Sequence, residues 1–242
     1  MWFSVQNRAQ SPSALLSVTL KQYWKQDASA GNPPTLISGS NPLTATAGRT
    51  LIAMWSGADN ASVVAPTDNA GTFTIPTNAR QDALGSNQIT AGIAHQLNVA
   101  GGSHTITPQV IAIGGAGEVI LRIFEVTGLS TAPTVRTVGF ETQINTSASW
   151  TVGSGVSPNT PQAGDVAFAI VTYENTAVLA SASLTDPPTG WNSLGANQDA
   201  TNNLPTQMSY KLVANAGAVS ASWSTVDTHV SEHVVIIVVL AP

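Results

Sequence analysis

The chain has 242 residues, a length that suits one large all-β domain or two smaller ones, either with a sizeable core. Hydrophobic residues make up 43%, but charged residues only 9%, against roughly 25% in typical domains, so Ser, Thr, Asn and Gln carry the solubility. A net charge of −5 with three lysines (Lys21, Lys25, Lys211) leaves no basic patch for nucleic acid, and the absence of cysteine removes thiolate metal sites, thiol nucleophiles and disulfides.

The opening stretch MWFSVQNRAQSPSALLSVTL lacks a basic segment followed by an apolar core of about 7–15 residues, so no cleavable signal is expected. In the first half, residues 50–55, 89–99, 104–111 and 118–126 are short, rich in β-branched and aromatic residues, and bounded by Gly, Pro, Asn and Asp. In the second half, 165–173, 207–213, 219–225 and 232–240 read the same way. Leu97 to Thr105 around Gly101-Gly102, and Leu212 to Ser220 around Gly217, read as hairpins. No window carries an i, i+3, i+4, i+7 apolar stripe, so no long helix is expected. The longest apolar run, residues 234–241, falls far short of the roughly 20 residues that cross a bilayer, and no membrane partner is expected.

The two halves echo each other. Gly48 in AGRTLIA matches Gly164 in AGDVAFA, 116 residues on; Leu97 matches Leu212 at 115; Glu118 matches Glu232 at 114. Asp68-Asn69-Ala70-Gly71 matches Asp186-Pro187-Pro188-Thr189-Gly190 more loosely. The colinear order predicts two tandem antiparallel β-sandwich or jelly-roll-like units, 1–129 and 130–242, joined near 127–133. The continuous apolar runs 166–173 and 234–240 require cover on both faces, from a second sandwich or from another subunit.

Several residues raise the question of chemistry. His229, Glu232 and His233 spell H-x-x-E-H, a zinc-peptidase signature that needs a helix to bring both histidines to one metal. The Val-Val-Ile-Ile-Val-Val-Leu that follows prefers strand, and the matching positions Gly115, Glu118 and Val119 keep only the glutamate. The expectation is therefore entry into a core strand, with no metal and no cofactor. His95 and His104 flank a turn without an evident carboxylate, and read as half-exposed strand residues. There is no G-x-S-x-G elbow and no phosphate-binding loop, and no acidic pair stands out, so no catalytic residue is assigned. Asp68 and Asp186 read first as turn caps, with a calcium or sugar contact at a sandwich rim as the functional alternative. Among Trp24, Trp55, Trp150, Trp191 and Trp223, Trp191 is the best candidate to stack a sugar, because it follows a Pro-Pro-Thr-Gly turn.

The stretches TATAGRTLIAMWSG, APTDNAGTFTI, AGIAHQLNVAGGSHTIT and GEVILRIFEVTGL resemble a recurrent β-sandwich module of bacteriophage virion proteins. That module shows a strand after an Ala-Gly turn, an Asp-containing Gly-Asn loop and a closing Glu-x-x-Gly-Leu tail, here Glu125-Val126-Thr127-Gly128-Leu129. The second half departs from it at Pro187-Pro188 and at Ala241-Pro242. The resemblance carries no catalytic residues and implies a non-enzymatic virion protein, a capsid decoration, head fibre or tail component. It would assemble with copies of itself and with other virion proteins. The alternative is a module that binds a carbohydrate or a host receptor through Trp191, Asp186 and Asp68. The segment before Ser17, with Trp2 and Phe3, is expected to be an arm that docks on a neighbouring subunit.

Overall fold

Short β-branched segments broken by Gly, Pro and Asn leave the chain one economical way to pair its backbone groups, in antiparallel ladders. The computed structural model describes residues 16–26, 34–58, 61–83, 88–112, 117–129, 133–143, 148–155, 159–175, 184, 187–197, 204–225 and 230–242. Among them there is no helix. The first half gives β1 (Ser17–Gln26), β2 (Thr35–Gly39), β3 (Leu43–Ala45), β4 (Thr50–Gly57), β5 (Ala61–Asp68) and β6 (Gly71–Thr72). It continues with β7 (Arg80–Ala83), β8 (Ile89–Gln96), β9 (Gly102–His104), β10 (Ile106–Ala112) and β11 (Val119–Thr127). The second half gives β12 (Thr134–Gln143), β13 (Ser149–Gly153), β14 (Val166–Asn175), β15 (Asn192–Asn197), β16 (Thr206–Leu212), β17 (Ser220–Ser224) and β18 (Val230–Ala241).

A six-stranded sheet runs β2-β1-β11-β4-β8-β7 and a five-stranded sheet runs β12-β18-β14-β16-β15. Without β2, the two orders are the same: first strand, last strand, then the strand after the Ala-Gly turn. The registers agree as well. Leu51 lies opposite Gln96 and Glu125, while Ala167 lies opposite Lys211 and Val239. These partners are separated by the same 116, 115 and 114 residues that relate the sequence matches.

The two large sheets pack face to face. Alternation sends Ile52 and Met54 of β4, and Ile120, Phe124 and Val126 of β11, into a middle core. There they meet Val166, Phe168 and Ile170 of β14 and Val234, Ile236, Val238 and Leu240 of β18. The opposite faces are covered by smaller sheets. Leu51, Ala53 and Trp55 pack under β3-β9 and β10-β5-β6, and Ala167, Val171, Val235 and Ile237 pack under β13-β17. The long apolar runs are therefore covered on both sides within one chain, which is why they do not alternate. Ser56 and Thr206 hydrogen-bond across the middle layer at 2.8 Å, and Thr206 reaches Thr172 at 3.0 Å. Arg122 crosses it too, donating to the carbonyls of Leu194 (3.3 Å) and Ala196 (3.1 Å) with its guanidinium over Tyr23.

The sheet edges are blunted. β2, β12 and β15 each carry an unpaired bulge residue, at Ile37, Arg136 and Leu194 respectively. The fourth edge, β7, carries an Arg80–Asp82 ion pair at 3.0 Å. Bulges and charges on an edge discourage pairing with another chain.

Because the middle core belongs to both halves, the chain is expected to melt in one cooperative transition. Phe168→Ala should lower its stability by about 3–5 kcal/mol without splitting that transition. Calorimetry checks this; two separate transitions would contradict the shared core.

Candidate functional site

The ionisable side chains are few, and most of the described ones lie on strands, several of them bracing turns. At the end of β5, Asp68 turns inward with its side chain 0% exposed. Its Oδ1 accepts the Ala70 backbone N–H at 3.1 Å, an Asx turn, and its Oδ2 lies 2.7 Å from His104 Nδ1. His104 Nε2 lies 2.8 Å from the Ala100 carbonyl oxygen. Both neighbours are acceptors, so both ring nitrogens must carry protons to satisfy them, and the ring is an imidazolium. Burial pulls its pKa down, but the hydrogen bonds to Asp68 and Ala100 and the attraction of Asp68 outweigh that pull, and the pKa lies above the ordinary histidine value. The nitrogen a triad would turn toward a nucleophile is thus taken by a backbone carbonyl. Asp68 and His104 form a clamp joining the 68–72 turn to the 97–104 hairpin, with the Asn69 side chain accepting the Thr105 N–H at 2.6 Å beside it.

The Ala-Gly turns carry a second device, built twice. Glu125 Oε2 accepts the Thr46 N–H at 2.8 Å and lies 3.9 Å from Lys21 Nζ. Asp165 Oδ2 accepts the Gln162 N–H at 2.8 Å and the Arg136 Nε–H at 2.9 Å. Thr46 and Gln162 are 116 residues apart, and Lys21 and Arg136 are both bulge residues of the first strand beside the last. In each half a carboxylate holds the turn and a bulge cation holds the carboxylate.

The sequence candidates fall differently. Alternation on β18 puts Glu232 and His233 on opposite faces, so they cannot converge on a metal; His229 lies outside the described residues. His233 is fully buried, 5.3 Å from the Trp150 ring, and burial holds its pKa below the ordinary value despite Glu141 at 3.5 Å. Among the described residues, no group of three or more His, Asp or Glu is placed to hold a metal ion. Trp191 is 6% exposed, packs in the outer core, and donates to the Ser220 carbonyl at 3.1 Å, with Lys211 6.0 Å from its ring. Trp55, Trp150 and Trp223 are buried and Trp24 half-buried, so these rings form no open platform. Asp186 lies outside the described residues. His104, expected to be half-exposed and without a carboxylate, is buried against one. No local pattern signals that contact, because Asp68 is 36 residues away and reaches His104 only through the β5–β10 pairing.

His95 is buried as well, and burial lowers its pKa. It lies at the floor of an open groove of about 540 Å³ between the 74–78 loop and β12, where Ile75, Arg136 and Val138 contribute walls.

Compared with known proteins, the chain matches no family model, no curated protein and no solved structure.

Two tests follow from the clamps. The raised His104 pKa means that its stabilising contribution is full below the unfolded pKa of about 6.5 and is lost as pH rises through the higher folded value. Chemical denaturation across that window should show stability falling with pH, and His104→Gln should flatten the slope. Asp68→Asn, which removes the anion from a buried pair, should cost about 3–5 kcal/mol. At the Ala-Gly turns, Asp165→Ala should cost about 1–3 kcal/mol. Lys21→Ala should cost less than about 1 kcal/mol, since that pair is long and partly solvated. Equal costs would refute the ranking.

Proposed function

We propose that this protein is a non-enzymatic structural component of a bacteriophage particle, built from two related β-sandwich units and assembling with copies of itself and with other virion proteins. One observation supports the reading above the rest. The residues that carry the resemblance to the phage module all do mechanical work. Asp68 caps its turn and clamps His104, Asn69 accepts from Thr105, and Glu125 holds the Ala-Gly turn at Thr46. A signature made of turn fasteners is what a family selected for a durable shape would keep. The buried Asp–His pair, the best catalytic fragment among the described residues, is spent on a backbone carbonyl. The blunted edges suit a protein that must stay discrete at high local concentration, with assembly contacts made through loops and side chains. A glycan or receptor site at Trp191 and Asp68 has less support, because the ring is interior and the carboxylate is already engaged.

Mass spectrometry of purified particles, with electron microscopy of antibody-labelled ones, tests the assignment. The protein should appear at a fixed copy number and at one location. Its absence from intact particles would overturn the proposal.

A further inference from the structure

The repeated frame supplies an internal control for the groove at His95. Ile52 lies opposite His95 across β4 and β8, and Phe168 lies opposite Tyr210 across β14 and β16. Tyr210 therefore holds in the second half the position His95 holds in the first. On the Tyr210 side the seam between the large sheets is filled. Tyr210, Leu194 and Tyr23 pack on the middle core, and Arg122 crosses to the backbone of β15. On the His95 side the seam stays open as the groove of about 540 Å³, within the roughly 300–1,000 Å³ usual for small-molecule sites.

The groove's two ionisable side chains are both nitrogen bases, His95 and Arg136. His95 shares the face of Ile93, which points into the middle layer, and it lines the groove. The residue is 8% exposed and its Nδ1 is buried with no hydrogen-bond partner, which leaves Nε2 as the nitrogen a ligand can reach. Arg136, which also lines the groove, commits its Nε to Asp165. Ile75, Pro76, Val135 and Val138 supply an apolar wall. A planar guanidinium and an imidazole lining one groove suit a carboxylate, and the wall suits an apolar flank next to it.

The geometry points to a binding site for a small organic carboxylate with an apolar flank, held by Arg136 and His95 at the seam of the two sheets. The inference stands apart from the particle assignment, and neither depends on the other.

The test uses the full chain and follows the His95 ring signals by NMR, assigned through His95→Gln. N-acetyl-L-leucine and hexanoate are the carboxylate probes; N-acetyl-L-leucinamide and hexanamide are their neutral counterparts. At least one acid should shift the His95 signals saturably while its neutral counterpart leaves them in place. Whichever acid binds tells an amino-acid-derived ligand from a fatty acid. Arg136→Gln should weaken binding about tenfold or more. That variant also loosens the Asp165 clamp, so Thr77→Trp, a change at an exposed lining residue, serves as a second block with the melting temperature unchanged. No shift with either acid, equal shifts with the neutral counterparts, or full binding in Thr77→Trp would each overturn the site.

Discussion

The middle apolar layer is the constraint from which the other features follow. Two sheets that each bury one face against the other, and the second face under a smaller sheet, need strands that are apolar on both sides. This fixes the composition of β4, β11, β14 and β18. It leaves polar residues to the strands at the flanks, such as β1 and β12, which show one face to solvent. It also makes the halves interdependent. Either large sheet alone would present Ile52, Met54 and Phe124, or Phe168, Ile236 and Val238, to water.

Stacking the sheets in series leaves four edges on the two large sheets, and each is treated differently. A bulge at Ile37 ends regular pairing on β2, while β7 carries its own ion pair. On β12 the bulge residue Arg136 also braces the Asp165 turn, and on β15 the bulge sits at the carbonyls that Arg122 holds. Gly195, with φ of +106°, permits that last arrangement: a Cβ there would lie 2.4 Å from Arg122 Nη1. Edge protection and turn bracing are thus partly the same residues. With only 9% charged residues the chain has few ions to place, and Arg136 serves both as edge bulge and as turn brace.

How much of this was legible depended on how local the signal was. The doubly covered strands announced themselves through continuous β-branched runs, while the constant spacings pointed to two related units without giving the order of strands in either sheet. β1, β2, β3, β5, β6, β7, β12, β13 and β15 were not foreseen; SVTLKQYWKQ and TVRTVGFETQ, for instance, mix polar and apolar residues as half-exposed flank strands do. The H-x-x-E-H motif was readable as strand because the residues after it decide its geometry. The Asp68–His104 clamp was not readable, since it depends on a non-local strand pairing. Trp191 misled for a related reason. A turn precedes it in sequence, but the ring folds back under β17 and bonds Ser220, a contact 29 residues away.

Two halves on one frame allow a comparison that a single sandwich would not. Where both halves do the same thing, as at Thr46 and Gln162, a shared mechanical need explains the residues even though the carboxylate comes from the last strand in one half and from the turn itself in the other. Where they differ at matching positions, packing alone does not require the difference. Tyr210 shows that the frame tolerates a large ring filling the seam, together with Arg122 and Leu194. His95 at the twin position leaves that space open and buries an imidazole nitrogen without a partner, a cost the neighbouring solution avoids. A chain that solves a packing problem one way and leaves it unsolved at the equivalent place has marked where its two halves no longer answer to the same demand.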